Sequence, residues 1–294
     1  MMFKRLLTVL LFLFASTAVY SQLSKTHYIP PLAGQEVSDH MIYISTPSTG
    51  YINVTIKPIG GTRTDWKSKT IKNDEPWDFY TGSGNGDIIR DINGLNGVIN
   101  DSGYIIESQG LTYVSFRFNS PDAVQGGQVY NYHSGAYVSK GESALGSKLR
   151  TATFTNSASG GGGNGVPQHF ISILATQDNT KVTLSDFPPG IEFTNNDLIG
   201  AQTSPLILPV LNENETYILG FSPSHSQSST IQEALIGALV SSEDELGGTD
   251  VKPVVVVSGS IGGSLRDGTY QNTDYGLDQI TDINLLGSEY IFIK

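Results

Sequence analysis

The groups in this sequence that could do chemistry are five histidines, 28 carboxylates and scattered serines; there is no cysteine. Without cysteine there can be no thiolate nucleophile, disulfide framework, zinc ribbon or iron–sulfur cluster. His27, His40, His133, His169 and His225 form no His-x-His or His-Glu-x-x-His pair, the spacings that bring two ring nitrogens to one metal. His40 and His169 instead open two similar apolar stretches, which suits structural residues at strand starts. A serine nucleophile at a strand-to-helix elbow wants Gly-x-Ser-x-Gly. The nearest run, Gly141-Glu142-Ser143-Ala144-Leu145, ends in Leu where the close backbone approach needs Gly. Glycoside hydrolysis requires two facing carboxylates. Glu107, Glu142, Asp178, Glu233, Asp267 and Asp278 are available, but their spacing pairs none of them. Gly82 to Asp87, with Asp91 to Gly94, supplies only fragments of a calcium loop, and a Gly/Asp turn explains them. The acidic stretch with Asp244, Glu245 and Asp250 has the same reading. No catalytic, cofactor-binding or metal-ligating set is expected.

Recognition chemistry is better represented. Tyr130, Tyr132 and Tyr137 crowd one stretch with Gly126, Gly127 and Gly135. Tyr-, Asn- and Gly-rich loops have the composition of recognition loops, so these three tyrosines are the candidate binding residues. Trp66, Trp77 and Tyr80 would support a sugar site if they shared one face.

The elements that must position these groups are strands. The chain has 294 residues, 38% hydrophobic and 10% aromatic, with only 15% charged and 33 glycines. Few charges and many Gly, Tyr, Thr, Ser and Asn mark turn-rich β-structure. The net charge of −11 and a sequence pI near 4.8 would repel nucleic acid. Lys4 and Arg5 followed by the apolar run Leu6–Ala15 form a leader, with cleavage expected after Ser21. The run is too short for a membrane span of about 20 residues. No later stretch reaches that length. Export without cysteine points to a bacterial envelope or surface protein.

Two parts of the chain resemble each other. His40–Thr46 and Gly50–Ile56 match His169–Thr176 and Asn179–Leu184, each reading as a β-hairpin. Asn73–Tyr80 matches Asn212–Leu219. Gly103–Ser108 with Leu111–Phe118, a second hairpin by pattern, matches Ala238–Ser242 with Lys252–Ser258. Leu145-Gly146-Ser147 matches Leu286-Gly287-Ser288. The expected fold is all-β: duplicated antiparallel β-sandwich-like units packed as one two-part domain. Residues 1–21 form the signal peptide, 22–156 the first unit, 157–165 a Gly-rich linker and 166–294 the second unit. Ile231, Ala234, Leu235, Ala238 and Leu239 fit a helical period, but the matching stretch with Ile105 and Ile106 favours a strand from about Ile236. Val254–Val257 lacks polar alternation, so it should be central and buried on both faces.

These landmarks, together with Val138–Ser147, Ala175–Thr183, Leu211–Tyr217, Lys252–Gly259 and Gly276–Ile280 followed by Leu286–Ile291, resemble the IgGFc-binding protein N-terminal domain. The version found at the front of large secreted surface proteins of gliding bacteria is the nearest in kind, over about residues 25–294. The resemblance implies a cell-surface adhesin-like context, often with type IX secretion, and supplies no catalytic residue. The chain ends within a strand-like run, Tyr290–Lys294, as the front piece of a longer protein or a truncated reading frame would. The leading expectation is a non-catalytic extracellular recognition or adhesion module whose partner is an extracellular protein or glycan. A carbohydrate-binding module or carbohydrate-active enzyme, and a structural spacer, are the alternatives.

Overall fold

Alternation of apolar and polar side chains dictates where the strands lie and which side of each is wet. The computed structural model describes residues 22–34, 38–60, 65–82, 87–119, 122–125, 128–131, 134–152, 168–221, 234–263 and 274–286. The leader, the Gly-rich segment 157–165 and the terminal run Tyr290–Lys294 lie outside them.

The first part of the chain contains β1 (Ser24–Ile29), β2 (Leu32–Gly34), β3 (Ser38–Ser45), β4 (Ile52–Pro58), β5 (Lys67–Ile71), β6 (Trp77–Gly82) and β7 (Ile89–Asp91). It continues with β8 (Tyr104–Asn119), β9 (Asp122–Gln125), β10 (Gln128–Asn131) and β11 (Gly135–Val138), and is followed by β12 (Leu145–Gly146) and β13 (Lys148–Arg150), which join the sheets of the second part. The rest supplies β14 (Gln168–Ala175), β15 (Thr180–Ser185), β16 (Leu206–Ile207), β17 (Thr216–Phe221), β18 (Leu239–Asp244), β19 (Val254–Gly263) and β20 (Asp274–Gln279). The fold is all-β, and its main sheets are antiparallel. Among the described residues the only helical pieces are short 3-10 turns.

The expected hairpins are not hairpins. β3 and β4 pair with different stretches of the 16-residue β8: β3 with Tyr113–Asn119, β4 with Tyr104–Ser108. Gly103–Ser108 and Leu111–Phe118 are therefore one strand that passes from one sheet into the next. β14 and β15 likewise pair with β19 and β18, not with each other. The reason is physical: alternation specifies the buried face, whereas the hydrogen-bonded neighbour is set by where the chain turns. A corner that carries the chain between the layers of a sandwich preserves the same alternation.

The pairings of the two parts run in step. β4 lies between β5 and β8, with β1 on the far side of β8. In the same way β15 lies between β16 and β18, with β13 on the far side of β18. β3 lies between β6 and β8, with β11 beyond; β14 lies between β17 and β19, with β20 beyond. Leu239 begins β18 after a turn at 234–237, so this stretch is a strand, as its match with Ile105 and Ile106 required.

Each pair of sheets closes over its own core. Ile42, Ile44, Val54, Ile56, Ile106, Val114 and Phe116 fill the first; Ile171, Ile173, Val182, Leu184, Leu219 and Val240 fill the second. Val254–Val257 is wholly buried, and its valines face alternate ways. Val254 and Val256 enter the second core. Val257 joins the first core, while Val255 packs with Ile59 and Ala144. Fully burying a valine contributes about 1.5–3 kcal/mol, so this strand is a main source of cohesion.

Polar side chains lock the seam between the parts. Gln279 is fully buried; its amide donates to the Tyr28 carbonyl at 2.9 Å and accepts from the Lys140 N–H at 2.6 Å. The Asp282 carboxylate accepts from the backbone N–H of Ser147 and Lys148 at 2.7 and 3.1 Å. Gly146 must be glycine here, because a Cβ would sit 2.6 Å from the Asp282 Cβ. Those backbone hydrogen bonds hold the Asp282 carboxyl below its ordinary range, against the opposing effect of its desolvation.

Candidate recognition face

Rows of facing residues define the outer surface of the β6–β3–β8–β11 sheet. Tyr80, Met41 and Arg117 form one row across β6, β3 and β8, continuing to Ala136 on β11. Asp78, Tyr43 and Ser115 form the next, continuing to Val138. Ser45 and Tyr113 form a third. Ile42 and Ile44 on the other side of β3 are fully buried, which turns Met41, Tyr43 and Ser45 outward. Tyr80 is 54% exposed; Arg117 and Asp78 are exposed, and Met41, Tyr43 and Tyr113 are half-buried. The Arg117 guanidinium carbon stands 5.0 Å from the Tyr43 ring centroid, a cation–π contact that orients both side chains. The face holds three tyrosines, a methionine and an arginine, with no lysine or glutamate. That is the composition enriched in the cores of protein interfaces.

The corresponding face of the β17–β14–β19 sheet has another fate. Its matching rows are Gly220–Phe170–Gly259 and Ile218–Ser172–Val257. Phe170, Ile218 and Val257 are packed with residues of the first part, including Leu32, Ile89 and Leu95. A Cβ at Gly220 would meet the Thr194 Oγ1 at 2.2 Å, and one at Gly259 would stand 3.0 Å from the Phe170 ring. The glycines therefore leave room for the phenylalanine and its cover.

Of the tyrosines singled out by the sequence, Tyr137 does not reach the surface. Tyr137 is 4% exposed, its ring 5.9 Å from that of Phe116 in the core. Burial pushes its hydroxyl pKa far above the ordinary value. A ring enclosed in this way has no face to offer a ligand. Its Gly-rich flank has the composition of a loop, but the pairing of Gly135–Val138 with β8 turns Tyr137 inward. Tyr130 lies in β10 opposite Ala123, and Tyr132 falls outside the described residues. Trp66, Trp77 and Tyr80 do not share a face. Trp77 packs half-buried against the core, Tyr80 points outward from the same sheet, and Trp66 precedes β5 in the other sheet.

The remaining reactive types have structural settings. His40 and His169 are buried at strand starts against Phe116 and Phe221. His27 is fully buried, with Nε2 3.0 Å from the Thr112 carbonyl. Desolvation lowers its pKa to about 4, more than those backbone contacts raise it. Ser143 sits in the 3-10 turn Gly141–Ala144, whose entry needs glycine because Gly141 has φ of 56°. Glu107 is bound by Lys57 at 2.6 Å, and Asp278 by Lys140 at 2.8 Å. The Asp178 carboxylate accepts from the Glu213 N–H at 3.0 Å. Glu233, Asp267, His133 and His225 lie outside the described residues, as does much of the Gly82–Asp87 loop. Among the described residues no group of three or more His, Asp or Glu side chains could hold a metal ion. Among them, too, no helix is long and apolar enough to cross a membrane.

Sequence reasoning passed over Tyr43, Tyr113 and Arg117. The outward parity of Met41, Tyr43 and Ser45 was a readable signal, but only the strand register joins them to Tyr80 and Arg117.

Comparison with known proteins adds one finding. The family described as IgGFc binding protein matches residues 112–294, from within β8 to the end of the chain. No curated protein matches, and no solved structure matches. The match covers well over half of the residues, and the chain belongs to the IgGFc binding protein family.

Proposed function

We propose that this chain is a non-catalytic extracellular recognition module that binds a folded protein through the outer face of the β6–β3–β8–β11 sheet. The observation that carries the reading is the open Tyr43–Tyr80–Tyr113–Met41–Arg117 surface, whose counterpart in the second part is buried. Membership of a family of binding domains supports it. The name of the family mentions antibody Fc; for this chain Fc is one partner to be tested among others. Secretion or display at a bacterial surface after loss of residues 1–21, with a type IX export context, belongs to the same proposal and rests on the leader and the resemblance. So does the division into a first unit at 22–156, a linker at 157–165 and a second unit at 166–294 that arose by duplication. The parallel strand pairings support that origin.

The test is a binding survey of the chain against immobilised serum and extracellular-matrix proteins, IgG Fc included. Specific, saturable binding to at least one of them is expected. Tyr43→Ser and Tyr80→Ser should each weaken it about ten-fold or more, as loss of a tyrosine hot spot does. Binding that ignores both substitutions would remove this face from the account. Turnover of ester or glycoside substrates by the chain would contradict the non-catalytic reading.

A further inference from the structure

We infer that the molecule carries a second binding surface, for an uncharged polysaccharide, on the outer face of the β5–β4–β8–β1 sheet. Three rows make this face. Trp66 precedes β5 by one residue and continues the row of Lys57 and Ile105. Ser68, Thr55, Glu107 and Thr26 form the next row, and Thr70 and Asn53 the third, with the Gln109 side-chain carbonyl oxygen accepting from the Asn53 N–H at 3.2 Å. Alternate residues along β5 are about 7 Å apart, so the face from Trp66 to Thr70 spans about 14 Å, the length of a short oligosaccharide.

The chemistry of the face selects its ligand. Trp66 is 59% exposed, and the Lys57 ammonium, 4.9 Å from its ring centroid, steadies it from one side. A steadied, exposed indole is a stacking platform for a sugar ring, which is apolar on its C–H side and polar at its rim. Around it stand hydroxyls and primary amides, the donors and acceptors that match sugar hydroxyls. The Thr55 and Ser68 hydroxyls bond to each other at 3.0 Å and so hold the middle row in place.

Charge excludes the other occupants. Lys57 is engaged by Glu107 at 2.6 Å, so the two charges of the face cancel. Lys67 and Lys69 face Ile56 and Val54, which places them on the opposite side of the sheet. No free cation remains in these rows to hold a polyanion, and the net charge of −11 opposes one at longer range. A protein interface would need an apolar centre. Trp66 and Tyr51 are the strongly exposed aromatic side chains here, and they stand at opposite ends of the face with the polar rows between them, while Ile105 packs against the buried cluster that holds Val255. An uncharged glycan matches what is left.

The chain contains two tryptophans, and Trp77 is packed against the core. Indole fluorescence therefore reports on this face directly. The full chain is titrated with hexaoses of glucose, mannose and N-acetylglucosamine, and with dextran sulfate as the polyanion. A saturable fluorescence change with at least one neutral hexaose, and protection of the exposed indole from acrylamide quenching, is the expected result. Trp66→Phe should abolish the signal, and calorimetry should show affinity falling about ten-fold. Asn53→Ala should weaken binding a few-fold. Absence of binding to every neutral hexaose would overturn the inference. So would affinity unchanged by Trp66→Phe, or a preference for dextran sulfate.

Discussion

Two sheets of this molecule are built on one pairing scheme and do opposite things with the same face. In the β6–β3–β8 sheet the rows Tyr80–Met41–Arg117 and Asp78–Tyr43 meet solvent, and only Ser115, at the end of the second row, is covered. In the β17–β14–β19 sheet the rows Gly220–Phe170–Gly259 and Ile218–Ser172–Val257 meet the rest of the protein. The edges differ likewise. The outer edge of β17 is closed by Ile99, which exchanges backbone hydrogen bonds with Thr216 at 2.8 Å each. The Asn195 amide continues the closure, reaching the Ile218 carbonyl and the Gly220 N–H at 2.7 and 3.0 Å. The crossover differs as well. β8 runs unbroken between its two sheets, whereas β18 and β19 are separate strands. The lesson is that a strand pattern determines a face, and its neighbours decide whether that face becomes core or binding surface.

The largest expected effect strikes the buried face. Phe170→Ala should lower stability by about 3–5 kcal/mol in denaturant unfolding, the cost of a large cavity in a packed core. Its counterpart Met41→Ala, half-exposed, should cost less than about 1 kcal/mol. Equal losses would break the comparison.

Next comes the pH response of β1 against β13. His27 faces Ile106 where Leu149 faces Val240, so one part buries an imidazole in the place of the other part's leucine. The His27 pKa falls from 6.5 to about 4 on folding, which favours the neutral ring in the native state. Its contribution is complete above pH 6.5 and is lost as pH falls toward 4. Stability should drop by about 3 kcal/mol across that window. His27→Leu should flatten this slope; an unchanged slope would assign it to other groups.

A smaller effect is expected at the seam. Asp282→Ala leaves the partly buried Ser147 and Lys148 N–H groups without their acceptor and should cost about 1 kcal/mol, the net worth of such hydrogen bonds where water can reach the freed donors. The Asp282 pKa is lowered on folding, so its contribution is present above the ordinary carboxylate range and fades as pH falls below it. That acid window lies beneath most of the His27 window, so urea melts at stepped pH separate the two.

Much of this architecture was legible in the residues. Val254–Val257 has no polar alternation, and it is a central strand with both faces covered. The similarity of Ala238–Ser242 to Gly103–Ser108 favoured a strand there over the helical period, and β18 is that strand. The hairpins were misread because His40–Ile56 states two faces and no partner. Tyr137 was misjudged because a Gly-rich flank imitates a loop, while its register opposite Phe116 makes it core. The recognition face was illegible in any one segment. Tyr43, Tyr80 and Arg117 lie far apart along the chain, and only strand register assembles them.

The contrast between the two faces can be measured directly because the native chain has no cysteine. Tyr43→Cys and Ser172→Cys place single thiols at matching row positions, one on the open face and one where the wild-type side chain is fully buried. Maleimide labelling of the folded variants should modify Cys at 43 at nearly the rate of a free thiol. At 172 it should be slower by about a thousand-fold or more, since reaction there must wait for opening of the structure. Comparable rates at both positions would contradict the account.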